Sequence, residues 1–346
     1  MIPERQTGTS IWTLPTEKVT SYSIKSHNDK KVNILIIGIG VIGTTYGNLF
    51  QKAGHTVEHY LRPGSSKAGI RQLKVDLLDG RKDSKGIAKT DVYQVNPCSG
   101  KQYDFIFVSV PSGGIAGVVQ SLDAEGISGT ILLCCGIWED RAYVDGLLQG
   151  RDYILGYPVA GGNIADGKLS CCVFDHFMLE REERSRIPDY AQLLSLFASC
   201  DIKTEQPYDM LEWIWLHMAI NAAVVSVAGK YGSIDDTAGS AEALMNSNAK
   251  LAEAVRAIRE TSGIVAARGV ALRHYRNELW AYKLPTFLSA PMMKRMFRSN
   301  ILTRKIMTLH GNVNDLLYVC KSLYETGQSY GIKAPVFYAA FLSLPS

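Results

Sequence analysis

The sequence predicts an α/β amino-terminal half built on a doubly wound sheet, followed by an all-helical carboxyl-terminal half. Three observations carry this. An apolar strand run, a glycine-rich turn and a helix start follow one another over Lys31–Phe50. Near-continuous apolar runs then alternate with helix-compatible stretches as far as residue 200. Beyond Pro207 only helical patterns remain.

In the first element, Val32–Ile37 reads as a buried strand leading into Gly38-Ile-Gly40-Val-Ile-Gly43. In a dinucleotide-binding, Rossmann-type unit this spacing has a physical meaning. Gly38 permits the tight turn, Gly40 lets backbone approach a pyrophosphate, and Gly43 allows close packing of helix on strand. Val41, Ile42 and Gly43 begin the helix, with free N–H groups and a positive dipole end aimed at the phosphates. The second strand, from Gly54 to Leu61, ends in Arg62, with Ser65, Ser66 and Lys67 close behind. NAD-preferring units place an acidic residue about 20 positions past the glycines for the ribose hydroxyls. Glu58 comes too early for that role. A guanidinium forks onto a 2′-phosphate, so Arg62, supported by Lys67, points to NADPH as the cofactor. A solvated basic turn is the alternative reading.

Tyr103–Val110 is apolar along nearly its whole length, as a parallel strand covered on both faces must be. Ligands gather at the carboxyl ends of such strands, which places Ser109, Val110, Pro111, Ser112 and the backbone of Gly113 and Gly114 beside the cofactor. Gly129–Gly136 repeats the pattern and sets Cys134, Cys135 and Gly136 at the next strand end, facing the cofactor crevice. A free cysteine there more often acts as a small hydrophobe than as a nucleophile. Tyr153–Gly156 and Leu169–Phe174 are shorter strands. Tyr157–Asn163 is glycine-rich and reads as a border of the cleft or as a tight turn. In the second half, Asp209–Gly229 and Ala241–Gly269 each read as one helix. Pro291–Gly327 reads as one or two, broken near Gly311. The expected domains are an extension over 1–30, a cofactor domain over 31–206 and a helical substrate and dimerisation domain over 207–346, with substrate held in the cleft between the last two.

Composition narrows the function classes. The chain has 346 residues, 46% hydrophobic and 20% charged, which is ordinary for a soluble globular protein. A net charge of +4 with no Lys/Arg block gives no nucleic-acid footprint. Residues 1–30 lack the apolar core of a secretory signal. The uncharged run Trp213–Gly229 is short for a membrane span and carries His217 and Asn221. The seven cysteines include two adjacent pairs and no CxxC, which resembles neither a disulfide framework nor a metal site and suits the cytoplasm.

This arrangement resembles the ketopantoate reductase (2-dehydropantoate 2-reductase) family, within the wider 6-phosphogluconate-dehydrogenase-like group. The likeness runs over roughly residues 31–338. It rests on the turn at Gly38–Gly43, the strand end Tyr60-Leu-Arg62, the helix Trp215–Asn221 and the segment Gly331-Ile-Lys-Ala-Pro335-Val. It implies the two-domain fold and NADPH use. The substrate-facing positions differ. His217 stands where the family has a lysine, while Asn221 is kept; a second family asparagine falls at Val225. The lysine after the fourth strand falls at Pro111, and an Asn-Gly pair appears as Cys135-Gly136. A family serine becomes Pro291, and the catalytic glutamate falls near Thr303 or Lys305. These changes argue against ketopantoate as the substrate.

His217 and Asn221, four apart, project from one helix face. Histidine titrates near neutrality and can replace lysine as the acid that protonates a reduced carbonyl or imine. Asn221 can hold a carbonyl oxygen or carboxylate. The competing reading is a satisfied core histidine on an apolar helix. Arg273, His274, Arg276, Lys294, Arg295, Arg298, Arg304 and Lys305 suit a carboxylate-bearing substrate where they face the cleft, and are otherwise solvated. Met292, Met293, Met296 and Phe297 read as core or as a homodimer contact. The expected function is a cytoplasmic NADPH-dependent reductase of a small 2-oxo acid, ketone or imine, with no nucleic-acid or membrane partner. An opine- or imine-type dehydrogenase and a catalytically silent NADPH sensor are the alternatives.

Overall fold

A computed structural model describes residues 30–111, 113–233, 235–309 and 313–344. Ser112, the break expected near Gly311 and, apart from Lys30, the expected extension lie outside the described residues. The chain divides into two compact units, one running to Leu211 and the other starting at Glu212.

The first unit is the expected Rossmann-type α/β fold. Its elements are β1 (Asn33–Ile37), α1 (Val41–Lys52), β2 (Thr56–Tyr60), β3 (Gln72–Asp79), β4 (Ile87–Gln94), β5 (Gln102–Val108), α2 (Ile115–Ala124), β6 (Ser128–Leu133), α3 (Arg141–Leu147), β7 (Tyr153–Ala165), β8 (Lys168–Leu179), α4 (Tyr190–Ser199) and β9 (Lys203–Glu205). The sheet order is β2-β1-β5-β6-β7-β8-β3-β4, with β9 on β8. The strands β2, β1, β5, β6 and β7 run parallel, so the strand order reverses between β1 and β5. The remainder is mixed, with β7–β8 and β3–β4 antiparallel and β3–β8 and β8–β9 parallel.

The glycine-rich segment Tyr157–Asn163 is neither loop nor turn; it lies inside the long strand β7, paired with β8. The turn comes later, at Asp166-Gly167, where both φ angles are positive (49° and 72°) as a tight two-residue hairpin requires. The hairpin β3–β4 is absent from the sequence reading. Its inner strand alternates, with Leu73, Val75 and Leu77 buried, whereas β4 buries Tyr93 alone.

The sheet rolls around α1. After β4 the chain returns to β2, where Asn96 O accepts the His59 N–H (2.8 Å) and the Cys98 N–H reaches His59 O (2.9 Å). Every residue of α1 from Gly43 to Phe50 is buried. Tyr46 and Phe50 on the helix meet Phe107, Phe177 and Phe197, whose rings lie 4.3–6.4 Å apart in stacked and edge contacts. Such close wrapping requires small residues on the helix. A Cβ at Gly43 would lie 2.6 Å from Ile36 Cγ2, and one at Gly47 would lie 2.4 Å from the Tyr93 hydroxyl.

The second unit contains helices only, among the described residues. These are α5 (Met210–Lys230), which starts two residues before the division, α6 (Thr237–Met245), α7 (Asn248–Ala267), α8 (Arg276–Lys283), α9 (Thr286–Ser299), α10 (Ile301–Leu309), α11 (Val313–Ser329) and α12 (Pro335–Leu342). The single helix expected over Ala241–Gly269 is two. Ser247 caps α7 by accepting the Lys250 N–H, which forces a break after α6. The segment expected to give one or two helices breaks at Asn300, which accepts the Thr303 N–H and restarts the helix. By length and composition α5 could span a membrane, yet 72% of its apolar window is buried inside the protein.

A helical Gly→Ala change normally stabilises by about 0.5–1 kcal/mol. At Gly47 the sign reverses, because the new methyl must displace Tyr93 and Ile36, at a cost of about 1–3 kcal/mol. Gly117→Ala, on an exposed turn of α2 with open space around it, keeps the normal sign. Urea denaturation of the two variants checks this contrast.

Candidate cofactor-binding site

The glycine turn sits where β1 hands over to α1. Gly38 has φ +79°, a left-handed conformation that favours glycine, and its N–H donates to Tyr60 O at 2.8 Å. Gly40 is the extended N-cap of α1 and supplies no side-chain cap; the first turn of the helix holds no acidic residue. The early N–H groups of α1, which include those of Val41, Ile42 and Gly43, therefore face outward with the positive dipole end and no built-in anion. The nearest heavy atom to a Cβ at Gly40 would be Ser109 O, at 4.0 Å. A phosphate can approach that backbone closely.

The turn is pinned from behind by His59, which the sequence reading left without a role. Its Nδ1 lies 2.7 Å from Gly38 O, and its Nε2 lies 2.6 Å from the Tyr93 hydroxyl. Burial lowers the His59 pKa, so the ring is neutral. The Gly38 carbonyl can only accept, which places the proton on Nδ1 and makes Nε2 the acceptor of the Tyr93 O–H. Strand periodicity is the signal that could have found it: in β2 the buried positions are Val57 and His59.

Arg62 is exposed, and no described side chain pairs with its guanidinium. Lys67 folds back, its Nζ donating to Ile39 O in the glycine turn at 2.7 Å. The two residues share one compact loop, in which Ser65 N–H donates to Arg62 O (3.1 Å) and Lys67 N–H to Ser65 Oγ (3.3 Å). Glu58 is engaged elsewhere. It accepts from the Ser99 N–H (2.8 Å), the Ser99 hydroxyl (2.6 Å) and the Tyr103 hydroxyl (2.5 Å), and these bonds hold its pKa below normal against the burial that opposes them. Among the described residues, the loop after β2 carries Arg62 and Lys67 and no carboxylate.

Ser109, Val110 and Pro111 follow β5 on the far side of the strand-order reversal. Ser109 Oγ would be 3.4 Å from a Cβ at Gly43, so this loop borders the glycine turn. Cys135 and Gly136 follow β6, where the Cys134 N–H bonds to Val108 O at 2.7 Å and the Cys135 thiol approaches the same oxygen at 3.5 Å. The two cysteines are buried rather than open to a crevice, at 6% and 2% exposure. Burial pushes the Cys134 thiol well up, which removes it as a nucleophile. All seven cysteines are free, and no described group of His, Cys, Asp and Glu residues could hold a metal ion.

In the second unit, α5 is buried along most of its surface, but His217, Asn221, Val225 and Ala228 form a half-buried stripe at helical spacing. The His217 ring stacks on Trp213 at 5.0 Å and 13°. It is half-buried and shares its face with Asn221. Thr303 is buried on α10, Lys305 is exposed on it, and Pro291 lies inside α9. None offers the acidic group of the resembled family. Met293 and Phe297 are core residues, whereas Met292 and Met296 are only half-buried.

Residues 34–135 match the family model described as ketopantoate reductase PanE/ApbA, the segment that carries the glycine turn, the basic loop and the loops after β5 and β6. The resemblance read from the sequence holds over this segment. No curated protein matches the chain. Among solved structures it is similar to a PanE/ApbA family ketopantoate reductase from Ralstonia eutropha JMP134 (16% identity, TM-score 0.61, covering 89% of this chain and 96% of that one). It is also similar to an NADP+-bound yersinopine dehydrogenase (12%, TM-score 0.60, 90% and 90%). A D-mandelate dehydrogenase in complex with NADH is a third (12%, TM-score 0.58, 90% and 97%). At these identities the likeness establishes the fold.

The neutral His59 gives a signed pH dependence. Its folded-state pKa is lowered, so below the unfolded value of about 6.5 the unfolded chain takes up a proton that the folded chain refuses. The stability tied to this group is present above that pH and is lost as pH falls. His59→Phe should lower stability at pH 7 by about 1–3 kcal/mol, since Gly38 O and the Tyr93 hydroxyl lose their partner. It should also flatten the decline between pH 7 and 5, as denaturation at several pH values would register.

Proposed function

We propose that the chain is an NADPH-dependent oxidoreductase of the ketopantoate reductase type, located in the cytoplasm, that reduces a small 2-oxo acid, ketone or imine other than ketopantoate. One observation carries the cofactor assignment: a basic loop, with Arg62 exposed and unpaired among the described residues, is hydrogen-bonded through Lys67 to the glycine turn at the head of a buried helix. The fit is chemical as well as spatial. Gly40 leaves open space, the first turn of α1 lacks an acid, and no carboxylate competes for a 2′-phosphate. The backbone of Gly38–Gly43 holds the pyrophosphate, while Arg62 and Lys67 hold the adenosine phosphate. Ser109, Val110, Pro111, Cys135 and Gly136 border the cofactor from the next two strand ends.

When bound, the reduced nicotinamide supplies a hydride to the substrate's carbonyl or imine carbon. His217 gives the proton required at the oxygen or nitrogen, and Asn221 orients the substrate through its amide. The half-buried stripe that carries both residues supports these roles, as does the match of Asn221 to the family pattern. Replacement of the family's lysine and glutamate at His217 and at Thr303 or Lys305 argues for a different substrate. The likeness to yersinopine dehydrogenase gives imine reduction a specific claim as the second reading.

Arg62→Ala should weaken NADPH binding roughly 10- to 100-fold and leave NADH binding within about threefold, by calorimetric titration. His217→Ala should lower kcat by about 10²–10⁴ with the NADPH Kd unchanged. The assay is loss of reduced-cofactor absorbance over a panel of 2-oxo acids with and without amines. Wild-type turnover in the His217 variant removes that residue from the mechanism, and tight NADPH binding without turnover on any substrate favours a sensor.

A further inference from the structure

We propose that the helical unit carries a second binding site, for a small polyanion of the phosphate-ester or pyrophosphate class, between the amino-terminal end of α7 and the carboxyl-terminal half of α9. A cavity of about 480 Å³ lies there, lined by Asn248, Pro291, Lys294, Arg295, Arg298 and Ser299. That volume suits a metabolite-sized ligand, since small-molecule sites span roughly 300–1,000 Å³.

The charge arrangement is hard to explain as a plain solvated face. Lys294 and Arg298 are four apart on α9, adjacent to Arg295, so three like charges repel one another along the cavity wall. None of the three forms an ion pair with a described residue. The sequence offers no local remedy, because no Asp or Glu lies between Glu278 and Asp315. Nearby, by contrast, Arg304 on α10 is paired with Glu242. The opposite wall adds to the positive field. Ser247 caps α7 through a side-chain bond, but the first turn contains no acidic residue, so the positive dipole end is not neutralised from within. Asn248, the first residue of that helix, also lines the cavity.

A single carboxylate would leave two of these cations uncompensated. A phosphate ester or pyrophosphate offers two or more charges and oxygens spaced for guanidinium forks. Pro291, in the same wall, contributes no polar side-chain atom.

The site is separate from the His217 stripe within the same unit. The Arg268 guanidinium lies 3.7 Å over the Trp215 ring, and Lys230 pairs with Glu253 at 2.7 Å, so α5 and α7 run antiparallel. The carboxyl end of α7 is thus level with the His217 turn, and Asn248 lies at the other end of the helix, on the order of 30 Å away.

The test is calorimetric titration of the full chain with inorganic pyrophosphate. An Arg62→Ala/Lys67→Ala variant serves as background, so that the glycine turn does not contribute through its cations. Saturable binding should persist in that background, and one site should weaken about 100-fold on adding Arg295→Ala and Arg298→Ala, roughly tenfold for each guanidinium, while any binding by the backbone of the glycine turn stays as it was. Far-ultraviolet circular dichroism and urea denaturation of an Arg295→Ala/Arg298→Ala variant confirm that the substitutions leave the helical unit folded. Absence of saturable pyrophosphate binding overturns the proposal, as does binding that Arg295→Ala and Arg298→Ala leave unchanged. Equal affinity for malonate, which carries carboxylates only, overturns the phosphate class.

Discussion

The neutral imidazole of His59 is the contact on which the cofactor unit depends. It joins three things that the chain brings from separate places: the Gly38 carbonyl in the glycine turn, strand β2, and Tyr93 on the far end of the sheet. The same tyrosine packs against Gly47, so the link continues into α1. A glycine turn is floppy by composition. Here its first carbonyl is held by a buried donor, its N–H by Tyr60, and its second peptide oxygen by Lys67. The backbone N–H groups that would face an anion are fixed before any ligand arrives.

The rolled sheet explains why α1 looks unlike a surface helix. A helix packed on one sheet face carries one apolar stripe, and the residues that face solvent are polar and large. In α1 the residues Gly43, Thr44, Thr45, Gly47 and Asn48 are all buried, which their small size permits; Thr45 satisfies its hydroxyl on Val41 O at 2.8 Å, whereas the Thr44 hydroxyl has no partner among the described residues. The returning segment after β4 encloses the helix. Its Ser99, together with Tyr103 of β5, also consumes Glu58, leaving the basic loop after β2 without an acidic competitor among the described residues.

Much of this was legible in the sequence where one local rule dominated. The strand–turn–helix unit at Val32–Phe50 was, because each glycine has a separate steric reason. The helix α5 was, because an uncharged apolar run of that length has few other outcomes. Failures came where a distant partner decided the outcome. The strand β4 buries a single side chain and has no periodic pattern to detect. The stretch Tyr157–Asn163 looks like a loop by composition, yet pairing with β8 makes it a strand, and at Gly162 only a glycine clears Ser170 O, 2.4 Å from where a Cβ would sit. Helix breaks at Ser247 and Asn300 hinge on single capping side chains inside otherwise helical patterns. At the candidate site, Arg62 was readable from its position after β2, but the Lys67–Ile39 bond and the role of His59 exist only once the chain has folded.

The central claim is that the turn from Gly38 to Gly43, together with the loop from Arg62 to Lys67, grips a phosphorylated dinucleotide. Hydrogen–deuterium exchange with and without NADPH tests it most directly. The account predicts slowed exchange at the amides of residues 38–44 and 62–67, with the β3–β4 hairpin unchanged. Protection confined to other segments, or none at saturating NADPH, would contradict it.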